Sequence, residues 1–424
     1  MSTAIYWFRN DLRLHDNPAL DAAIKENEAI VPVFILDEKY LQEDRWGFVR
    51  TGNYRLQFLL ESLQDLNNYL KEKGSQLLVK RGDPTVLLPQ LAEKYNARRV
   101  YATQEYTHEE VIVEESIAEA IDLQLHHGLC LFHPEDSPFS IEQLPDVFTQ
   151  FRKRMEKYSQ VRELIPSPEK ITSPELEETG IPSVEGLGFK KPEPDERAAI
   201  PFKGGALEAE KRLDYYLWDS DQVATYKKTR NGLIGADYST KFSAWLANGC
   251  ISPRTIYHEV EAYESERTSN SSTYWVKFEL MWRDYFKYVA MKYGRKIFWK
   301  GGIQNKNIKF RTHQRVFDKW AEGRTGDDFV DANMRELLHT GFMSNRGRQN
   351  VASYLVHQLN VDWRMGAAWF ESLLVDYDVA SNYGNWMYAS GVGNDPRDRV
   401  FNTKKQANNY DADGSYRKLW LKEG

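Results

Sequence analysis

The feature that most constrains this chain is a change of hydrophobic period partway along it. Residues 1–133 carry short apolar runs at 4–8, 30–36, 77–79 and 99–102, separated by amphipathic stretches. In one such stretch Leu56, Leu59, Leu60, Leu63, Leu66 and Leu70 mark a single helix face. Strands alternating with helices predict a parallel sheet with helices on both faces. No GxGxxG follows the first strand, so this Rossmann-like half lacks the usual dinucleotide fingerprint. Residues 166–203 are rich in Pro, Glu and Gly with little periodicity, as in a connector crossing the surface. From about residue 206 the helical period dominates to the end. The expected organisation is an α/β domain over 1–133, a connector over 134–205 and an all-α domain over 206–424.

Charge and cysteine usage narrow the function classes. A net charge of -6 argues against a blanket nucleic-acid binder, which wants a broadly basic surface, but it allows a local basic rim. Cys130 and Cys250 stand far apart in the chain and fit reduced, packing thiols. No signal peptide and no apolar run of membrane length is visible, so a cytoplasmic protein is expected, without membrane contact.

The chemistry concentrates in three stretches. In 341–402, Asn345, Arg348 and Gln349 stand three and four apart and share a helix face, which Val351, Leu355 and Leu359 continue with a buried side. Asp376, Asp378, Asn382, Trp386 and Tyr388 follow. Acids and an amide beside large aromatics suit a planar heteroaromatic cofactor better than a metal, since the stretch has no Cys and only His357. In 225–254, Ser239, Thr240, Lys241 and Ser243 precede an apolar helix. Hydroxyls, free backbone N–H groups and a lysine there suit a pyrophosphate, although an ordinary helix cap reads the same way. In 275–286, Glu279, Trp282 and Arg283 fall at i, i+3 and i+4. Such a Trp can stack on a flat pyrimidine while the acid hydrogen-bonds its edge. A core Trp beside a surface Glu–Arg pair is the alternative.

Several long motifs, in order, carry a resemblance: WFRNDLRLHDNPAL at the start, LPDVFTQFRKRMEK at 144–157, WVKFELMWRDYF at 275–286, the whole of 341–402, and YDADGSYRKLWL near the end. Together they resemble the photolyase and cryptochrome family, specifically its DASH-type branch. The resemblance implies FAD in the helical domain, with the diphosphate at Ser239, Thr240, Lys241 and Ser243 and with Tyr226 and Arg283 near the cofactor. It implies an Arg348–Asp376 ion pair beside the isoalloxazine, Asp378 on its polar edge, and Asn382 facing flavin N5. Glu279 and Asn345 would touch a cyclobutane pyrimidine dimer, Asn345 also contacting the flavin region, and Trp282 would stack on the dimer. Arg346 and Arg399 would meet phosphates on the rim. Arg9, Asp11, Arg13 and Asp16 would hold the first loop through ion pairs.

The resemblance also implies a 5,10-methenyltetrahydrofolate antenna at the carboxyl edge of the sheet, on Glu109 or, failing that, Glu110. A solvated acidic helix start is the competing reading of those two. Trp386 and Trp363 match an electron relay whose third position holds Phe310. Gln349 and Tyr388 replace a Met and a second stacking Trp of ordinary dimer photolyases, as in the DASH branch, and make the pocket more polar with less stacking area. Extruding a dimer from a duplex costs a few kcal/mol, so weaker stacking favours lesions already unpaired. The implied function is blue-light-driven repair of dimers in single-stranded DNA by a monomer. A blue-light receptor without repair is the alternative, and the absence of a long C-terminal tail speaks against it.

Overall fold

The computed structural model describes residues 2–310, 313–395 and 399–422 of the 424-residue chain. Five parallel strands form one sheet: β1 (Thr3–Phe8), β2 (Ala29–Leu36), β3 (Leu78–Arg81), β4 (Ala97–Thr103) and β5 (Asp122–His126), in the order β3-β2-β1-β4-β5. Every residue of β1 and β2 is buried, as a parallel sheet covered on both faces requires. Successive side chains go to opposite layers. Ile5, Trp7, Val31 and Val33 pack with Leu88 of α3 (Pro84–Lys94) and Ile117 of α4 (His108–Ala120). Tyr6, Phe8, Ile30 and Phe34 pack on the other side with α1 (Pro18–Glu26) and α2 (Asn53–Glu72).

Four strands answer to the apolar runs of the sequence; β5 does not. Its DLQLH sequence lies at the sheet edge, none of its residues is buried, and it therefore shows no apolar run. The opening loop is held as expected in part. Asp16 pairs with Arg254 at 2.5 Å and Arg9 pairs with Glu114. Arg13, however, donates to the carbonyls of Asp16, Gly128 and Gly249, and Asp11 accepts from Tyr6 and Thr103.

The segment after β5 crosses back over the molecule. It contains α5 (Phe148–Tyr158), donates no long sheet pairing, and is pinned where the Ile30 amide bonds the Thr172 carbonyl at 2.8 Å. The rest is helical: α6 (Ala206–Asp214), α7 (Tyr226–Thr229), α8 (Ser243–Ala247), α9 (Pro253–Glu266), α10 (Ser271–Tyr293), α11 (Gln314–Ala321), α12 (Asp328–Thr340), α13 (Asn345–Ser353), α14 (Trp363–Leu373), α15 (Val379–Ala389), α16 (Thr403–Tyr410) and α17 (Ser415–Leu421). Two glycines let α15 approach its neighbours. A Cβ on Gly384 would stand 2.2 Å from the Phe286 ring of α10, and one on Gly366 of α14 would stand 2.2 Å from the Trp386 indole. Among the described residues no helix is long and apolar enough to cross a membrane.

Candidate functional site

A cavity of about 470 Å³ opens among α10, α13, α15 and the loop before α8. Each wall is set by a local device. An Asn270 capping box starts α10 and brings Glu279, Trp282 and Arg283 to the cavity. Ser344 caps α13, its hydroxyl accepting from the Gly347 amide at 3.0 Å, and this turn presents Asn345, Arg348 and Gln349. Asp378 caps α15 by accepting from the Ser381 amide at 2.8 Å, and Asn382, Trp386 and Tyr388 follow on that helix. Arg212 holds the loop before α8 in place through the carbonyls of Ser239 and Thr240. Ser239, Thr240 and Lys241 of that loop, Ser243 at the start of α8, and Tyr226 line the cavity.

The polar groups divide into two sets. On one wall Arg348 pairs with Asp376 at 2.9 Å and also donates to the Met343 carbonyl. The second oxygen of Asp376 is buried and has no partner. The Lys241 ammonium is likewise buried without a hydrogen-bond acceptor, 3.0 Å from the centroid of the Tyr238 ring. Burial pushes its pKa well below the usual lysine range. Unpaired buried polar atoms are costly, so these two mark where a ligand completes the wall. An anionic diphosphate suits Lys241, and a ring N–H suits Asp376. The residues present therefore fit FAD. The helix dipole contributes less here than the sequence suggests, because α8 is five residues long.

The second set surrounds Trp282. Glu279 accepts from Arg230 at 2.8 Å and from the Trp275 indole at 3.0 Å. Burial raises its pKa, and the Arg230 charge and the Trp275 hydrogen bond only partly offset this. Tyr388 stands edge-on to Trp282, with ring centroids 5.7 Å apart at 82°. Asn382 commits its amide nitrogen to the Ala367 carbonyl at 3.0 Å.

Not every expected residue meets this cavity. Arg399 lines it, but Arg346 does not. The Arg346 guanidinium donates to Gln349 at 2.9 Å and to Asn231 at 2.8 Å, while its Nε is buried without a partner. Trp363 is buried behind the wall, its indole donating to the Lys300 carbonyl. Arg283 spends its guanidinium on the Leu129 and Leu246 carbonyls and lines both this cavity and a smaller one of about 160 Å³. The smaller cavity lies at the carboxyl edge of the sheet, where β1 and β4 diverge in connection. Glu110 lines it; Glu109 lies outside it and pairs with Arg50 at 2.8 Å. Glu105 also lines it, and burial pushes its carboxyl up to about 7.

Sequence reasoning missed Lys287 and Arg230. Lys287 pairs with Asp378 at 2.8 Å, and Arg230 holds Glu279. Lys287 lies one turn beyond Arg283 on α10, a spacing that was available in the sequence.

Residues 4–171 match the DNA photolyase family model, and residues 275–424 match the FAD binding domain of DNA photolyase. A cryptochrome DASH of Danio rerio is 51% identical over 99% of this chain and 83% of its own length. One from Xenopus laevis is 52% identical over 98% and 82%. The crystal structure of a Synechocystis cryptochrome superposes with a TM-score of 0.96 at 48% identity, covering 99% of this chain and 89% of that one. The chain belongs to the photolyase and cryptochrome family and, within it, to the DASH-type cryptochromes.

Proposed function

We propose that this protein repairs cyclobutane pyrimidine dimers in single-stranded DNA under blue light, with FAD as its cofactor. The observation that carries the reading is the continuity of the larger cavity. One wall holds Lys241, Arg348 and Asp376, and the other holds Glu279, Trp282 and Tyr388, with no partition between them. A cofactor on the first wall and a base pair's worth of flat substrate on the second would be in contact. The chemistry is the cofactor's own: reduced FAD supplies on excitation the single electron that opens the ring, and recovers it afterwards.

The chain's residues do the rest. Trp282 offers a face for stacking, and Glu279, kept in place by Arg230 and Trp275, offers an acceptor or, when protonated, a donor to the base edge. Asn345 lies on the α13 turn that also carries Arg348 and lines the same cavity, and it is the proposed contact to both flavin and substrate. Arg399, which also pairs with Asp395, is the proposed rim cation for a phosphate, and Asn382, its amide nitrogen held by the Ala367 carbonyl, is the proposed neutral amide facing the flavin. Trp386 and Trp363 are the proposed start of an electron relay. The antenna reading places methenyltetrahydrofolate at the sheet edge on Glu109, with Glu110 facing the cavity there as the alternative contact.

The test is direct. Reduced protein is illuminated with a dimer-containing oligonucleotide, and dimer loss is followed chromatographically against a dark control. Dimer loss only in the light supports the proposal. A yellow protein that leaves the dimer intact overturns it and favours light sensing.

A further inference from the structure

The ring of Trp282 has a partner that lies outside the cavity altogether. Phe148, at the start of α5 in the segment between the two halves, faces it with ring centroids 3.6 Å apart and planes 12° from parallel. Aromatic pairs ordinarily settle edge-on or offset at about 4.5–7 Å, so this near-cofacial contact covers one whole face of the indole. Phe148 is buried and is not part of the cavity wall, whereas Trp282 is. It therefore backs the indole from the protein side. Phe148 is itself fixed, edge-on, by Phe278 at 5.2 Å and Tyr285 at 5.6 Å. Phe278 in turn stacks on Trp275 at 4.5 Å, and the Trp275 indole bonds Glu279. One aromatic column thus runs from Glu279 to Trp282.

We infer that Phe148 is a positioning residue that sets the plane of Trp282 for a flat base. This rests on the repair reading above. Tyr388 stands perpendicular to Trp282, so of these two rings only the indole offers its face to a stacked base, and that stacking depends on the orientation of the indole. A ring already held parallel loses little freedom when a base lands on it, which is the gain of preorganisation. Without Phe148 the indole can tilt into the space behind it. The effect falls on recognition in the dark, before any electron moves.

The test measures dark binding of flavin-loaded protein to a single-stranded oligonucleotide with one thymine dimer and to the same strand undamaged. The variants are Phe148→Leu, Phe148→Tyr, Trp282→Ala and the Phe148→Leu/Trp282→Ala pair, each checked for flavin absorbance and melting temperature. Phe148→Leu should lower the preference for the dimer about fivefold, in the range of an aromatic pair, and Phe148→Tyr should keep it within about twofold. In the Trp282→Ala background Phe148→Leu should change nothing further, because its effect passes through that ring. An unchanged preference in Phe148→Leu, an equal loss in the Trp282→Ala background, or a Phe148→Leu protein without flavin each overturns the inference. A wild type with no preference for the dimer sinks the repair reading as well. A wild type that prefers it but ignores Phe148 sinks this inference alone.

Discussion

Lys287 Nζ lies 2.8 Å from Asp378 Oδ2, with the lysine buried and the carboxylate partly buried between the two cavities. Asp378 lines both cavities and Lys287 only the smaller one. The same carboxylate caps α15 through its other oxygen. One residue thus starts the helix that carries Asn382, Trp386 and Tyr388 and faces the proposed flavin. Its charge is balanced by a lysine 91 positions away.

Removing that lysine should be costly. Burial raises the Asp378 pKa, but the Lys287 and Arg283 charges outweigh it and hold the carboxyl well below the usual range. Lys287→Met removes the ion-pair partner of Asp378 and leaves it only the Ser381 amide and the Arg283 charge, for which a loss of up to about 3–5 kcal/mol is expected. Lys287→Arg should keep most of the stability, and adding Asp378→Asn to Lys287→Met should recover part of it. The sign with pH follows from the depressed pKa. The contribution is complete above the unfolded carboxyl value of about 4 and is lost as pH falls below it. Urea unfolding from pH 3 to 8 checks this. A gap between wild type and Lys287→Met that does not narrow below about pH 4 would contradict it.

Glu279 makes a different prediction, because it belongs to the substrate side. Glu279→Ala should leave the protein yellow while lowering the yield of dimer repair per photon, since Glu279 faces Arg230 and Trp275 rather than the Lys241 wall. Burial places its titration above the ordinary carboxyl range, so any fall in wild-type repair on acidification should begin at a higher pH than for an exposed glutamate. Loss of flavin in Glu279→Ala would put this residue in the wrong set.

Strand preference can be read from Gln349 and Tyr388. Gln349 is held by Arg346 at 2.9 Å, and Tyr388 is edge-on to Trp282, so neither adds a second flat wall. Repair should be at least tenfold faster on a single-stranded dimer than in a matched duplex, because extrusion costs a few kcal/mol that one stacking face offsets poorly. Both substrates must be compared at one salt concentration, since phosphate contacts are screened. Equal rates would remove this reading.

Much of this site was legible because its residues come in helical spacings. Arg348 pairs with Asp376, and Glu279, Trp282 and Arg283 line one cavity from one helix. What the sequence hid are contacts between distant segments. Nothing local connects Lys287 with Asp378, Arg230 with Glu279, or Phe148 with Trp282. Phe148 was further hidden by lying in a stretch whose neighbours read as a connector. Arg346, whose charge suggests a phosphate, also makes contacts the sequence did not show: it donates to the side-chain carbonyls of Gln349 on its own helix and of Asn231 in a distant segment. Likewise β5 escaped notice, because an edge strand with an open face has no need of apolar residues.

The last prediction concerns how the flavin regains electrons. Trp386 lines the larger cavity, and its indole packs over Gly366, one turn from Trp363. From Trp363 the third position of the expected relay is Phe310, a half-buried ring with the Lys300 ammonium 5.6 Å from its centroid. Phenylalanine is much harder to oxidise than tryptophan, and a nearby cation makes a positive hole there still less favourable. A hole on Trp363 should therefore stall and return. Among the described residues two rings stand close enough to offer side exits: Tyr383, 6.0 Å from Trp363 between ring centroids, and Trp320, 6.2 Å from Trp386. Trp320 is fully buried, which keeps an external thiol from reaching it. Flavin photoreduction by thiol is thus expected to be slow in the wild type and several-fold faster in Phe310→Trp. Repair by chemically pre-reduced protein should be the same in both, because that step does not use the relay. Steady illumination of wild type, Phe310→Trp and Tyr383→Phe side by side, followed by flavin absorbance, decides the matter. If wild type matches Phe310→Trp and Tyr383→Phe is slow, the relay ends at Tyr383 and the Phe310 prediction fails.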